Sequence, residues 1–126
     1  MRSVDGSDFR YILLLMIFAW DERNVAHIGK HGVTPREAEF IVRHAHSPFP
    51  ESARDGKFRA WGQTQEGRYL QVVFVFPKDE DVDLESLDPL DRLAFADGSE
   101  SVIYVVHARD LEESEKKQLR RRRRQP

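Results

Sequence analysis

The sequence has no cysteine among its 126 residues, and this absence excludes several classes of protein. Disulfide scaffolds, cysteine-ligated zinc, iron–sulfur clusters and thiol catalysis all require that residue. Long hydrophobic runs are also lacking, since the longest, from Tyr11 to Trp20, has half of the roughly 20 residues that a membrane-spanning helix needs. No small-residue cleavage site follows this run, so no signal peptide is predicted. These absences favour a cytoplasmic protein that does not enter a membrane.

The length and composition predict one domain with a single hydrophobic core. The chain is 40% hydrophobic and has 13 aromatic residues, which is enough to fill such a core. Met16 lies inside the apolar run and would itself make a sensible start. We therefore interpret residues 1–15 as a dispensable N-terminal extension and residues 16–126 as the domain.

The formal net charge of −2 hides an uneven distribution along the chain. Residues 1–78 carry 11 Lys and Arg against 9 Asp and Glu, and residues 101–126 carry 8 against 4. Residues 79–100, between them, carry 1 against 9. A basic body with a basic end is typical of proteins that bind polyanions. The alternative is that these charged faces are only solvated, and charge alone leaves both interpretations open.

The hydrophobic periodicity predicts elements in the order β, α, α, β, β, β, α, which is typical of an α+β fold. Capping residues mark the helix starts, and glycines mark the turns. The predicted elements are a strand ending at Ala19, helices from Asp21 to His31 and from Pro35 to His44, a hairpin of strands at 57–64 and 68–76, a strand at 102–107, and a final helix after Asp110. Residues 77–100 are interpreted as an acidic surface insertion, and residues 110–126 as a basic C-terminal helix and tail.

Four motifs in this order carry a family resemblance. They are Trp20-Asp21-Glu22, Lys30-His31-Gly32-Val33-Thr34, Gly62-Gln63-Thr64 with Gly67-Arg68-Tyr69-Leu70, and His107-Ala108-Arg109-Asp110. In order and approximate spacing they resemble the BrnT family of bacterial toxins, over about residues 16–121. The resemblance implies a RelE-like fold, in which helices pack against a twisted antiparallel sheet. It also implies a ribonuclease that inhibits translation and a ribbon-helix-helix antitoxin that neutralises it.

Charged residues meet at one sheet edge if the last two strands are antiparallel neighbours. Arg68 opens one strand and Arg109 follows the other, so both guanidiniums should reach the same edge. His107 precedes Arg109 by two residues and should point to the same side. Metal-free RNA cleavage needs a base, an acid and a positive charge on the phosphorane oxygens. Arginine suits the charge, and histidine suits the proton transfers.

Each candidate catalytic residue also has a structural interpretation. Arg68 follows a turn and can pair with a neighbouring carboxylate such as Glu66, and Arg109 has the same alternative. His31 matches the family motif, but a histidine in the last helical turn also stabilises the helix dipole. His107 departs from the small hydroxylated residue expected at that position in the family. The sequence therefore leaves the identity of the general base open.

Metal binding is not predicted. His27 and His31 share a helix face at i, i+4 spacing, but no glutamate stands between them and no third ligand is evident. Neither a metal nor any other cofactor is therefore expected.

Two groups of residues are candidates for RNA binding. Lys57, Arg59 and Trp61 alternate onto one strand face, as a basic row that ends in a ring able to stack on a base. The alternative is a polar sheet face with Trp61 docked under a helix. The arginine run that begins with Arg120 and Arg121 suits RNA, DNA or an acidic partner without sequence preference.

Two hypotheses of function follow from different classes. The first is a metal-independent endoribonuclease toxin that attacks RNA through the 2′-hydroxyl, with a cognate antitoxin and a dimer within the toxin–antitoxin complex. The second is a non-catalytic basic module on the same scaffold that binds RNA or a protein partner.

Overall fold

The computed structural model describes residues 16–123, in which five strands and four α-helices form an α+β fold. The predicted α+β class is thereby confirmed, whereas the extension at residues 1–15 and the tail residues 124–126 lie outside the described part. The elements are β1 (Ile17–Ala19), α1 (Glu22–Gly29), α2 (Pro35–Arg43), β2 (Glu51–Ser52), β3 (Phe58–Gln63), β4 (Tyr69–Val75), α3 (Pro89–Ala96), β5 (Val102–Asp110) and α4 (Glu113–Arg123).

The five strands form one open sheet in the order β1-β5-β4-β3-β2. The predicted β3–β4 hairpin is confirmed, and it turns at Gly67, whose φ of 96° suits glycine. β4 and β5 are antiparallel neighbours, as expected. The expectation of an entirely antiparallel sheet is wrong, because β1 pairs with β5 in parallel. The antiparallel expectation came from the family resemblance, whereas a continuous apolar run such as β1 is typical of the buried strands found in parallel pairing.

Helices α1 and α2 begin at the residues that the capping pattern predicts. Asp21 and Asn24 form one capping box, and Thr34 and Glu37 form the other. Both helices end slightly earlier than predicted, α1 at Gly29 and α2 at Arg43. Their inward faces bury a set of side chains that belongs to the main core: Ile28, Ala38, Ile41 and Val42.

The acidic insertion has more structure than its sequence predicted. Within it Asp88 caps α3, and two short 3-10 turns precede that helix. Leu87 packs against Ile17, Ala19 and Val102 in a second, smaller core at the β1 edge of the sheet. Residues 79–100 thus form a folded unit on that edge, which we call the acidic lobe.

Helices α2 and α4 cover opposite faces of the sheet. Ile41 of α2 lies against Gly62 of β3: a Cβ added to Gly62 would be only 3.2 Å from Cδ1 of Ile41. The next residue toward the N-terminus, Trp61, has Arg122 of α4 over its ring at 5.6 Å. Because successive side chains of a strand point to opposite faces, the sheet lies between these two helices.

Among residues 16–123, no helix is long and apolar enough to cross a membrane.

Candidate functional site

Arg68 lies just before β4 and joins three separate parts of the chain. Its Nε and Nη2 donate to the two carboxylate oxygens of Asp110, at 2.8 and 3.1 Å. Its Nη1 donates to the carbonyl of Gly32 at 2.7 Å, and Nη2 to that of His31 at 2.9 Å. Glu37 of α2 adds a longer contact, at 3.3 Å. Arg68 and these four partners form what we call the Arg68 site.

The electrostatics of the Arg68 site match this geometry. Hydrogen bonding to Asp110 raises the pKa of Arg68, and the same bond lowers the pKa of Asp110. The expected pairing of Arg68 with Glu66 is not found. Arg68 pairs instead with Glu37 and Asp110, which are distant from it in the sequence by 31 and 42 positions. In the free protein this guanidinium is therefore already held by carboxylates and carbonyls.

Arg109, in β5, has a different set of partners. Its Nη1 and Nη2 donate to the two carboxylate oxygens of Glu115, in the first turn of α4, at 2.7 and 2.9 Å. Nη2 also lies 3.4 Å from Oε1 of Gln71. The hydrogen bond from Arg109 is the main cause that lowers the pKa of Glu115 to about 2. We call Arg109, Gln71 and Glu115 the Arg109 site.

The two arginines lie at the same end of the sheet, but their side chains do not converge. Gln71 pairs with Arg109 across the β4–β5 ladder, and Leu70 pairs with Asp110. Adjacent residues of a strand point to opposite faces, so Arg109 extends toward α4, whereas Asp110 extends toward Arg68 on the other face. The predicted common edge is found, but this arrangement does not let both guanidiniums hold one phosphate.

Three histidines form a cluster between α1 and β5. The ring centroid of His107 lies 5.1 Å from that of His31 and 5.6 Å from that of His27. Burial is the main cause that lowers the pKa of His107, and the charges of His31, His27 and Arg109 lower it further. The sequence had grouped His107 with Arg109 and had found no third partner for His27 of α1 and His31 of the turn that follows it. Their i, i+4 spacing was the available signal, but only the fold brings His107 to them.

This histidine cluster does not have the arrangement of a metal site. Within residues 16–123, no group of three or more histidines or carboxylates is placed so that it could hold a metal ion. The rings instead meet edge to face, with interplanar angles of 62° and 67°, and histidine is a side chain suited to proton transfer near neutral pH.

The row formed by Lys57, Arg59 and Trp61 is less exposed than its alternating pattern predicted. Trp61 is only 6% exposed, and its Nε1 donates to Oε1 of Gln71 at 2.9 Å. Arg59 donates to Glu51 at 2.8 Å, and Lys57 is half-buried just before the strand. Trp61 therefore does not offer its ring to a base. The alternative interpretation, a tryptophan docked under a helix, describes the structure.

Helix α4 presents the most open basic surface near this end of the sheet. Arg120 lies over the ring of Tyr69 at 5.3 Å, and Lys116 approaches the same ring at 5.7 Å. Arg121 is exposed. We call Lys116, Lys117, Arg120 and Arg121 the basic α4 surface. Tyr69, which the sequence analysis did not select, provides its aromatic neighbour.

An open groove of about 680 Å³ borders the Arg68 site, between α2 and the β3–β4 turn. Its charged lining contains more carboxylates than guanidiniums: Glu37, Glu39 and Glu66 against Arg36 and Arg43. A phosphate is therefore not favoured there.

Comparison of the chain with protein-family models, with curated proteins and with solved structures finds no match.

Proposed function

We propose that this protein is the toxin of a bacterial type II toxin–antitoxin pair and cleaves RNA in the cytoplasm without a metal ion. The single observation that carries the proposal is the close approach of His31 and His107, whose rings are 5.1 Å apart. The ordered motifs that resemble the BrnT family support it, and so does the α+β sheet, for which we propose a RelE-like fold.

The two histidines suit the two proton transfers of the reaction. The lowered pKa of His107 increases its neutral fraction at pH 7, so it accepts the proton of the 2′-hydroxyl. The resulting oxygen attacks the adjacent phosphorus, and the bond to the 5′-oxygen breaks. His31, which is exposed, gives that leaving oxygen a proton. The products are a 2′,3′-cyclic phosphate and a 5′-hydroxyl.

Arg109 is the arginine that we propose for the phosphorane oxygens. It lies two residues after His107 in β5, on the same side of the strand, and its planar fork suits two phosphate oxygens. Phosphate would take the place of Glu115 on this fork. Arg68 holds the carbonyl of His31, so we propose that it positions the loop that carries that histidine rather than contacting RNA.

Cleavage of a labelled RNA in excess EDTA tests the proposal. His107→Ala and His31→Ala should each lower the saturated rate by about 10²-fold or more, and Arg109→Ala by about 10²- to 10³-fold. His44→Ala is the matched control, because His44 is an exposed histidine at the far end of α2. Activity that disappears with EDTA and returns with magnesium would contradict the mechanism.

A ribbon-helix-helix antitoxin is the partner that we propose in the cell. An acidic amphipathic segment of that protein would cover the basic α4 surface, and salt should slow its association. We propose that the protein forms a dimer within the toxin–antitoxin complex. Harmless expression of the protein alone at a high level in a bacterium would argue against a toxin.

A non-catalytic binding module is the second candidate, and one observation favours it. Arg68 and Arg109 are each already bound to carboxylates, Asp110 and Glu115 respectively. A protein of this class would arrest growth or bind RNA with unchanged affinity in the His107→Ala variant, and it would release no cyclic phosphate.

A further inference from the structure

The acidic lobe has an apolar surface that no described part of the protein covers. Leu84, Leu90 and Leu93 are 52%, 78% and 67% exposed. Among the described residues, Val25 of α1 is the only other large hydrophobic side chain that is exposed, at 40%. Exposed apolar side chains grouped in this way mark interaction sites, whereas isolated ones do not. We call these three leucines the leucine surface.

The leucine surface is held in place by the fold of the lobe. Leu90 and Leu93 are neighbours at i, i+3 on α3, and Ala94 and Phe95 of the same helix pack onto the smaller core. Arg92 donates from Nε to the carbonyl of Leu84 at 2.7 Å, which keeps the turn that carries Leu84 next to α3. A partner would therefore meet a surface that is already formed.

The charge around the leucine surface selects the chemistry of that partner. Residues 79–100 contain nine carboxylates, and their one cation, Arg92, donates to backbone carbonyls. Partial burial is the main cause that raises the pKa of Asp91, and the nearby charge of Asp88 raises it further. RNA, DNA and anionic lipid are repelled by such a surface. A complementary surface carries lysine or arginine beside apolar side chains.

A second copy of this chain does not provide that complement. Two acidic lobes brought together would place like charges in contact. The basic α4 surface has no exposed large hydrophobic side chain among its described residues. Nor does the basic α4 surface cover the leucine surface of its own molecule. The acidic lobe packs at the β1 edge of the sheet, whereas Arg122 of α4 pairs with Glu51 at the opposite, β2 edge.

We infer that the leucine surface docks a basic amphipathic helix from a different protein. The apolar stripe of that helix covers Leu84, Leu90 and Leu93, and its flanking lysines or arginines face the carboxylates of the lobe. This interaction is separate from the proposed RNA chemistry and does not depend on it.

Titration with defined peptides tests this inference. The probe is a peptide of about 18 residues with leucine on one helical stripe and lysine elsewhere, and its control has serine in place of each leucine. The full chain should bind the leucine peptide at least about tenfold more tightly than the serine peptide, because only the former buries apolar surface. Added salt should weaken the binding.

Variants locate the binding on the protein. The double variant Leu90→Ser with Leu93→Ser should bind the leucine peptide at least about tenfold more weakly. Leu84→Ser should also weaken binding, although Leu84 lies in the turn before α3 and the helix itself is unchanged in this variant. Val25→Ser is the matched control and should bind like the unchanged protein. Thermal denaturation should show that all these variants remain folded, since each replaced side chain is exposed.

Three results would overturn the inference. Equal affinity for the two peptides would mean that charge alone is recognised. Equal affinity of the double variant and the unchanged protein would place binding elsewhere. A dimer that sedimentation detects in the unchanged protein but not in the double variant would make a second copy the occupant.

Discussion

The Arg68 site and the Arg109 site lie at the same end of one sheet, yet they connect the chain in different ways. The partners of Arg68 are separated from it by between 31 and 42 positions in the sequence. Arg68 thus ties the α1–α2 turn and the start of α2 to the end of β5. Arg109 makes its shortest bond to Glu115, only six residues ahead. The first arginine links distant segments, whereas the second mainly links a strand to the helix that follows it.

This difference explains why we assign the two residues different roles. Loss of Arg68 would remove a donor from the carbonyls of His31 and Gly32 and from the carboxylate of Asp110, whereas Glu37 would keep its capping-box bonds to Thr34. Glu115 also accepts from the backbone N–H of Glu112, so it remains bound at the start of α4 if Arg109 turns to another anion. The Arg109 site can therefore exchange partners at a lower cost than the Arg68 site.

Arg68→Ala should give the largest loss of stability. We expect the free energy of unfolding to fall by about 2 to 3 kcal/mol, because several charge-assisted hydrogen bonds are lost together. Arg68→Lys should recover little of this, since an ammonium cannot match the fork geometry. Urea denaturation at pH 7 measures both variants. A loss no larger than that of an exposed arginine such as Arg121 would remove the proposed distinction.

Acid should weaken the Arg109 site in a defined window. The pKa of Glu115 is about 2 in the folded protein against 4.5 for the ordinary group, so its contribution is present above pH 4.5 and is lost as the pH falls toward 2. We expect on the order of 2 kcal/mol from this group, after allowance for its partial exposure. In Glu115→Gln, urea denaturation between pH 5 and pH 2.5 should show a shallower decline. Asp110, whose pKa is also lowered, should account for part of the remaining slope.

Trp61→Phe should lower the free energy of unfolding by a smaller amount, and it tests the contact of Trp61 with Gln71 of the Arg109 site. The variant keeps most of the buried ring but loses the hydrogen bond from Nε1 to Gln71. We expect a loss of about 1 kcal/mol, because Gln71 retains its contact with Arg109. RNA binding should be unchanged, since the ring is buried. Weaker RNA binding by a fully folded Trp61→Phe protein would instead support base stacking.

The histidine cluster should make stability depend on pH in a different window. The pKa of His107 is lowered in the folded protein, so the unfolded chain binds more protons below the ordinary histidine value of about 6.5. Stability is thus fully present above that value and declines as the pH falls through it. Denaturation at pH 7.5 and pH 5.5 should show the decline, and His107→Gln should reduce it. An equal decline in both proteins would assign it to other groups.

Arg121→Ala should have the smallest effect on folding, within about 0.5 kcal/mol, because the side chain is exposed on α4. Its effect should fall on RNA binding, which should weaken uniformly across sequences with a shallower salt dependence. Filter binding at several salt concentrations measures this slope. An unchanged slope would remove Arg121 from the RNA-binding surface.

Local signals in the sequence were sufficient for most of the secondary structure. Asp21 and Thr34 predicted the helix starts, and Gly67 predicted the hairpin turn, because capping and turn formation depend on residues within about four positions. The common end reached by Arg68 and Arg109 also followed, since antiparallel pairing of β4 and β5 was enough to place it.

The sequence by itself thus determined where α1, α2 and the β3–β4 hairpin lie and which end of the sheet collects the charges, whereas β2 and α3 were not predicted. Only the tertiary structure decided which partner each charged or aromatic group meets. Arg68 pairs with Asp110, His107 contacts His31 in the turn after α1, and Arg122 of α4 lies over the ring of Trp61. The physical reason is that capping and periodicity act between near neighbours, whereas these contacts join segments 30 or more residues apart that meet only when the sheet and its helices pack.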